Sequence, residues 1–285
     1  MSNAPRRALD ALRQRARHEL RWRLAGDDAE RHHDEIWNSQ GDRRFGPGDP
    51  VWRVHADASM FIGGLRALLL QSLHPVAMHA VAAHSDYRRD PWGRLNRTAH
   101  FLAATTYGDE RVAEAAIERV RRIHAAVRGV TPDGRPYAAD DPHLLEWVHV
   151  AEVDSFLRAH QAFGSARLTD SDADEYVAQT GEVAIALGVV DPPASRDDLR
   201  RRLRAYRPEL RSTTAAREAA RFLVLQPPLP LVARPVYGAL AAAAVTSLPA
   251  WASLGLGLGR LPFDDRLVGR PAGGLVTSAL RWAMT

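Results

Sequence analysis

The chain has 285 residues, 46% of them hydrophobic and 25% charged, which excludes a disordered chain and leaves a globular fold with a sizeable core. It has no cysteine, so disulfides, thiolate-bound haem, iron–sulfur clusters and a cysteine nucleophile are excluded. All 38 basic residues are arginine. A Walker lysine, a Schiff-base lysine and a lysine general base are therefore excluded as well. The net charge of +4 rests on groups that hold anions but do not release protons. With no clustered basic face, the balance does not point to nucleic acid.

Residues 1–50 read as an N-terminal extension. An Arg-rich helical segment covers 6–24, without the apolar core of an export signal, so a cytoplasmic location is expected. Polar sequence follows, ending in Gly46-Pro47-Gly48-Asp49-Pro50. From 51 to 285 the apolar residues recur at helical spacing, which predicts an all-α, single multi-helix domain. Val51-Trp52-Arg53-Val54 alone looks strand-like, and one strand makes no sheet.

Helices are predicted over 58–73, ending at His74-Pro75, over 75–84, and over 93–107. Asp109 is the predicted N-cap of a helix running to 127, with Gly129 as its stop. Thr131-Pro132-Asp133-Gly134 forms a turn. Asp141 caps the next helix, Pro142 opens it and Gly164 ends it. Further helices are predicted over 169–187, 195–206, 213–225, 232–247 and 271–284. Residues 235–259 carry no charge. That is long enough to span a bilayer, but Pro235, Pro249 and the abundant Ala and Gly favour a buried hairpin bent at Pro249. Peripheral membrane contact is the alternative.

All 12 histidines lie between His18 and His160, which assigns any chemistry to the first part of the chain. In the helix after Asp109, Ala113, Ala116, Ile117, Val120, Ile123 and Val127 form an apolar stripe, and His124 belongs to it. An imidazole on such a face is either a satisfied structural group or a ligand. In the helix before it, Arg94, Arg97, Thr98 and Phe101 fall along one face, a row that could receive a carboxylate-bearing planar ligand or polarise a bound oxygen species. The bland reading is a solvated Arg face. Glu146-x-x-His149 and Glu30-x-x-His33 suggest a di-iron carboxylate bundle, although Glu30 lies in polar sequence. His74, His79 and His84, five apart, scatter around their helix. No zinc-protease motif, nucleophile elbow or phosphate loop is present.

Several short motifs resemble the MpaB/rubber-oxygenase family, also called DUF2236. They are 61–73 followed by His74-Pro75, His84-Ser85, Asp90-Pro91 leading to Arg94-Leu95-x-x-Thr98, Arg121-x-x-His124, Gly129, Tyr137-x-x-Asp140-Asp141-Pro142 and Trp147-Val148-His149. The resemblance spans roughly 50–265. It implies an all-helical haem b-dependent oxygenase acting with dioxygen or peroxide on a small lipophilic, isoprenoid-like substrate. His124 would be the iron ligand, with Arg94, Thr98, Phe101 and Val120 in the haem pocket and Arg97 and Thr98 as catalytic donors to bound oxygen. Arg97 stands where rubber oxygenases carry a lysine; a guanidinium does not coordinate iron, so the sixth position is expected to be open or water-filled. The resemblance would also place a base near Ala77-Met78, where there is no carboxylate, which argues against polyisoprene cleavage. Two other readings stand beside it: a non-catalytic helical protein that binds lipid or a membrane, and a non-haem di-iron oxidase using Glu146 and His149.

Overall fold

The structure is a computed structural model and describes residues 29–85, 87–259 and 269–284. The Arg-rich segment predicted over 6–24 and the side chain of Glu30 lie outside the described part. Thirteen α-helices and one two-stranded hairpin are present among the described residues. In chain order they are α1 (Ala29–Trp37), α2 (Pro50–Ala56), α3 (Met60–Gln71), α4 (Pro75–His84), α5 (Pro91–Tyr107), α6 (Glu110–Ala126), β1 (Arg128–Val130), β2 (Pro136–Ala138), α7 (Pro142–Phe163), α8 (Asp170–Leu187), α9 (Arg196–Ala205), α10 (Thr214–Leu225), α11 (Arg234–Thr246), α12 (Ala250–Gly255) and α13 (Gly269–Met284).

The helix starts follow the capping chemistry in the sequence. Asp109 accepts from the Val112 amide at 2.9 Å to open α6, and Asp141 accepts from His143 at 2.9 Å ahead of Pro142 in α7. Asp90 accepts from Gly93 at 2.8 Å with Pro91 in the first turn of α5.

Two expectations need correction. Val51 to Val54 is helical: Pro50 opens α2, and Val51 and Val54 turn to one side into the core. Apolar residues at i and i+3 suit a short helix as well as a strand, and Pro50 at its start decides for the helix. The strands lie instead on either side of the predicted Thr131–Gly134 turn, with Gly129 paired to Tyr137. Gly129 thus lies inside a strand rather than ending a helix, and any Cβ there would collide with the Tyr137 ring.

The centre is α3 against α7. Ile62, Leu69 and Leu70 of α3 are fully enclosed together with Trp147 of α7. At Gly63 the two helices approach so closely that a Cβ would sit 2.7 Å from the Phe156 ring. Between them Arg66, also fully enclosed, pairs with Asp154 at 2.9 Å and donates to Ser155 at 2.6 Å and to the Ser247 carbonyl at 3.2 Å. α11 packs on α3, and α13 packs on α11 and α7. The charge-free stretch is divided by a break at 247–249 into most of α11 and the short α12, with Ala241, Ala243, Ala244, Val245 and Leu248 buried. Among the described residues no single helix is long and apolar enough to cross a membrane. α3 and α4 together would have the length, but they are bent by 105° and α3 is the central core helix.

Candidate functional site

α5 and α6 are joined by Gly108 and Asp109 alone and pack on each other, so they run antiparallel. Positions about equally far from the turn lie level. Arg94, Arg97 and Thr98 near the start of α5 therefore stand at the same end as Val120 and His124 near the close of α6. The β-hairpin closes this end. Its Tyr137 hydroxyl lies 2.9 Å from His84 Nε2 at the end of α4, and Ser85 just beyond accepts from Arg94 Nη1 at 3.1 Å. His79 and His84, which helical spacing separates, both face the Tyr137 ring.

His124 is half-buried, and its Nδ1 is buried with no hydrogen-bond partner among the described residues. Burial lowers its pKa, against a smaller opposing pull from Asp140, so the ring is neutral at neutral pH. Val120, one turn earlier, is half-buried, and Ile123 is exposed. The inner face of α6 thus includes Val112, Ala113, Ala116, Ile117, Val120 and His124.

The four-residue row on α5 divides. Arg94 and Phe101 are half-buried, whereas Arg97 and Thr98 are exposed. Desolvation lowers the Arg94 pKa from its ordinary value. Arg97 pairs with Asp90 at 3.3 Å, and the Thr98 hydroxyl donates to the Arg94 carbonyl at 3.1 Å.

Beside His149, which the sequence singled out, lie two titratable groups that it did not, His55 and Glu152. α2, α7 and α8 pack on one another, α5 lies against α2 and α6 against α8, while α5 and α6 make little direct contact with α7. In this region His55 of α2 and His149 of α7 have pKa values lowered to about 4, and Glu152 of α7 has one raised to about 7, all by desolvation. Each nevertheless keeps part of its surface accessible. His55 Nδ1 lies 2.8 Å from Thr106 Oγ1, and its Nε2 lies 3.4 Å from the Tyr176 hydroxyl. Burial, and then the Glu152 carboxylate, raise the Tyr176 pKa. The buried Nε2 of His149 has no hydrogen-bond partner among the described residues. A carboxylate inside an apolar helical run was the one available signal for Glu152.

Glu146, its predicted companion, accepts from the Tyr206 hydroxyl at 2.9 Å and pairs with Arg202 at 3.0 Å. A second polar group joins His74, His143 and Glu209, whose donor atoms lie within 4.8 Å of one another, close enough to hold a metal ion. His74 Nδ1, however, accepts from the Ala77 amide at 3.3 Å at the start of α4. A neutral His74 therefore carries its proton on Nε2, which faces Glu209 at 3.4 Å, and His143 Nε2 lies 2.9 Å from the same oxygen. Burial draws the Glu209 pKa up, but hydrogen bonds and charge from His143 and His74 bring it below its ordinary value. These contacts tie the α3–α4 corner to α7 without a metal.

The fold and site thus define an all-helical protein whose interior holds several neutral imidazoles and a protonatable carboxyl. Residues 52–282 match the family described as ER-bound oxygenase mpaB/B'/Rubber oxygenase, catalytic domain, and the chain belongs to that family. No curated protein matches the chain, and no solved structure does.

Proposed function

We propose that the protein is a haem b-dependent oxygenase that acts with dioxygen or peroxide on a lipophilic, isoprenoid-like substrate. Membership of an oxygenase family supports the reaction class. The observation that carries the haem reading is the orphaned Nδ1 of His124, a buried imidazole nitrogen for which the surrounding protein supplies no hydrogen bond. A desolvated polar atom without a partner is costly, and a bound metal removes that cost.

The residues present fit the group. His124 would be its ligand, because a neutral ring offers a lone pair at neutral pH. Val120 and Phe101 would supply apolar walls, and Arg94, half-buried and desolvated, would meet an anionic propionate in a setting where charge counts for more than in water. When bound, the haem would supply the activation of dioxygen or peroxide.

The chain's own side chains have distinct tasks. Arg97 must leave Asp90 to donate hydrogen bonds inward, so its exposed pair acts as a resting position. Thr98 already donates its proton to the Arg94 carbonyl, which leaves its oxygen as an acceptor. Glu152, with a pKa near neutrality, is able to take or return a proton within the enclosed region. A visible spectrum of the purified chain tests the reading. The expected result is a Soret band that moves on reduction and addition of carbon monoxide. Bound iron without that band, or no iron at all, would overturn it.

A further inference from the structure

The charge-free stretch singled out by composition is buried mainly from Ala241 onward. A run of exposed apolar residues lies at its start and just ahead of it, where the chain leaves α10, crosses the prolines Pro227, Pro228 and Pro230, makes one short 3₁₀ turn (Leu231–Ala233) and enters α11. Leu225 is 68% exposed, Leu231 75%, Val232 88% and Val236 49%, so exposure peaks at the tip and falls away on both sides. The exposed side chains are all aliphatic, unlike the aromatic-rich core of a protein interface.

The tip is held in place. Tyr237 donates to the Leu223 carbonyl at 2.5 Å, which clamps the start of α11 to the end of α10. Arg234 Nε donates to the Leu229 carbonyl at 3.3 Å and Ala233 to the Pro230 carbonyl at 3.0 Å, while the prolines fix the backbone between. Leu231 and Val232 are presented outward by a braced loop and have little conformational freedom left to lose on insertion.

Two exposed arginines flank the tip: Arg221 lies one turn before Leu225 in α10, and Arg234 opens α11. No acid lies between 219 and 259.

We propose that residues 225–236 are a membrane-docking tip, in which Leu225, Leu231, Val232 and Val236 enter the interfacial layer of an anionic bilayer while the flanking arginines meet its phosphates. Apolar insertion and cationic attraction together are the two signals that reversible membrane attachment needs. The proposal is independent of haem, since vesicle binding reads it directly.

The test is flotation of the full chain with vesicles of phosphatidylcholine alone or mixed with phosphatidylglycerol, at low and high salt. The chain is expected to float with the anionic vesicles, and high salt should weaken the binding. Val232→Asp should weaken it at least about tenfold, and Arg221→Gln roughly fivefold. Val190→Asp, at an 81% exposed site between α8 and α9, should leave binding unchanged. Circular dichroism of each variant checks that the fold is intact. Failure of the folded wild type to bind either vesicle overturns the proposal, as does equal loss with Val190→Asp. A dimer that dissociates in Val232→Asp, with no vesicle binding, would assign the tip to a second copy of the chain and overturn it too.

Discussion

Two parts of the interior bury ionisable groups in opposite ways. Between α3, α7 and α11, Arg66 has no exposed surface, yet Asp154, Ser155 and the Ser247 carbonyl occupy its donors. Asp57 is likewise held by Arg281 and by the Ser59 and Ser165 amides, and its pKa falls well below the carboxylate range despite burial. Around α6 and α7, by contrast, His124 and His149 each keep a buried nitrogen without a partner, and no ionic partner offsets the desolvation that raises Glu152. The first arrangement locks three helices together. The second leaves capacity unused, and unused polar capacity in an interior is where a ligand or a reaction is to be sought.

The largest expected effect breaks the saturated side. Asp154→Ala leaves Arg66 charged and enclosed, with a predicted loss of about 3–5 kcal/mol by urea denaturation. A loss near that of an exposed pair would mean that solvent reaches Arg66.

The next sharpens the unsaturated side. Glu152 has its pKa raised from 4.5 to about 7 in the folded chain, so the native state holds the proton more tightly than the unfolded one. The contribution of Glu152 to stability therefore falls as pH climbs from 4.5 through 7, while the lowered pKa values of His55 and His149 act in the opposite direction. Glu152→Gln has no such term and should gain on the order of 2 kcal/mol over wild type at about pH 8, and nothing near pH 4.5. Equal shifts at both pH values would contradict an enclosed carboxyl. The smallest effect belongs to the surface: Arg97→Ala should cost about 0.5 kcal/mol or less, because its partner Asp90 still caps α5.

Much of the fold was legible because this chain marks its helix ends. Asp109, Asp141 and Pro142 act at the positions where their chemistry is strongest, and the apolar stripe of α6 gives most of its inner face, although Ile123 is exposed and the buried Val112 was not in the stripe. The row on α5 was legible only as a row. Spacing places Arg94 and Arg97 on one side of a helix, but the neighbours decide that Ser85 draws one inward and Asp90 holds the other out. His55 was missed because only 51–54 was read as an element, and as strand-like, so nothing placed the following histidine on a helix face. The Arg66–Asp154 pair joins residues far apart in sequence, and no local pattern reveals such a partner.

The haem-to-protein ratio of folded His124→Ala, set beside that of His149→Ala, tests the central claim most directly, since both residues offer an orphaned imidazole nitrogen. The account predicts that the His124 variant emerges without haem and that the His149 variant keeps it. Full haem in His124→Ala would remove that residue from the iron.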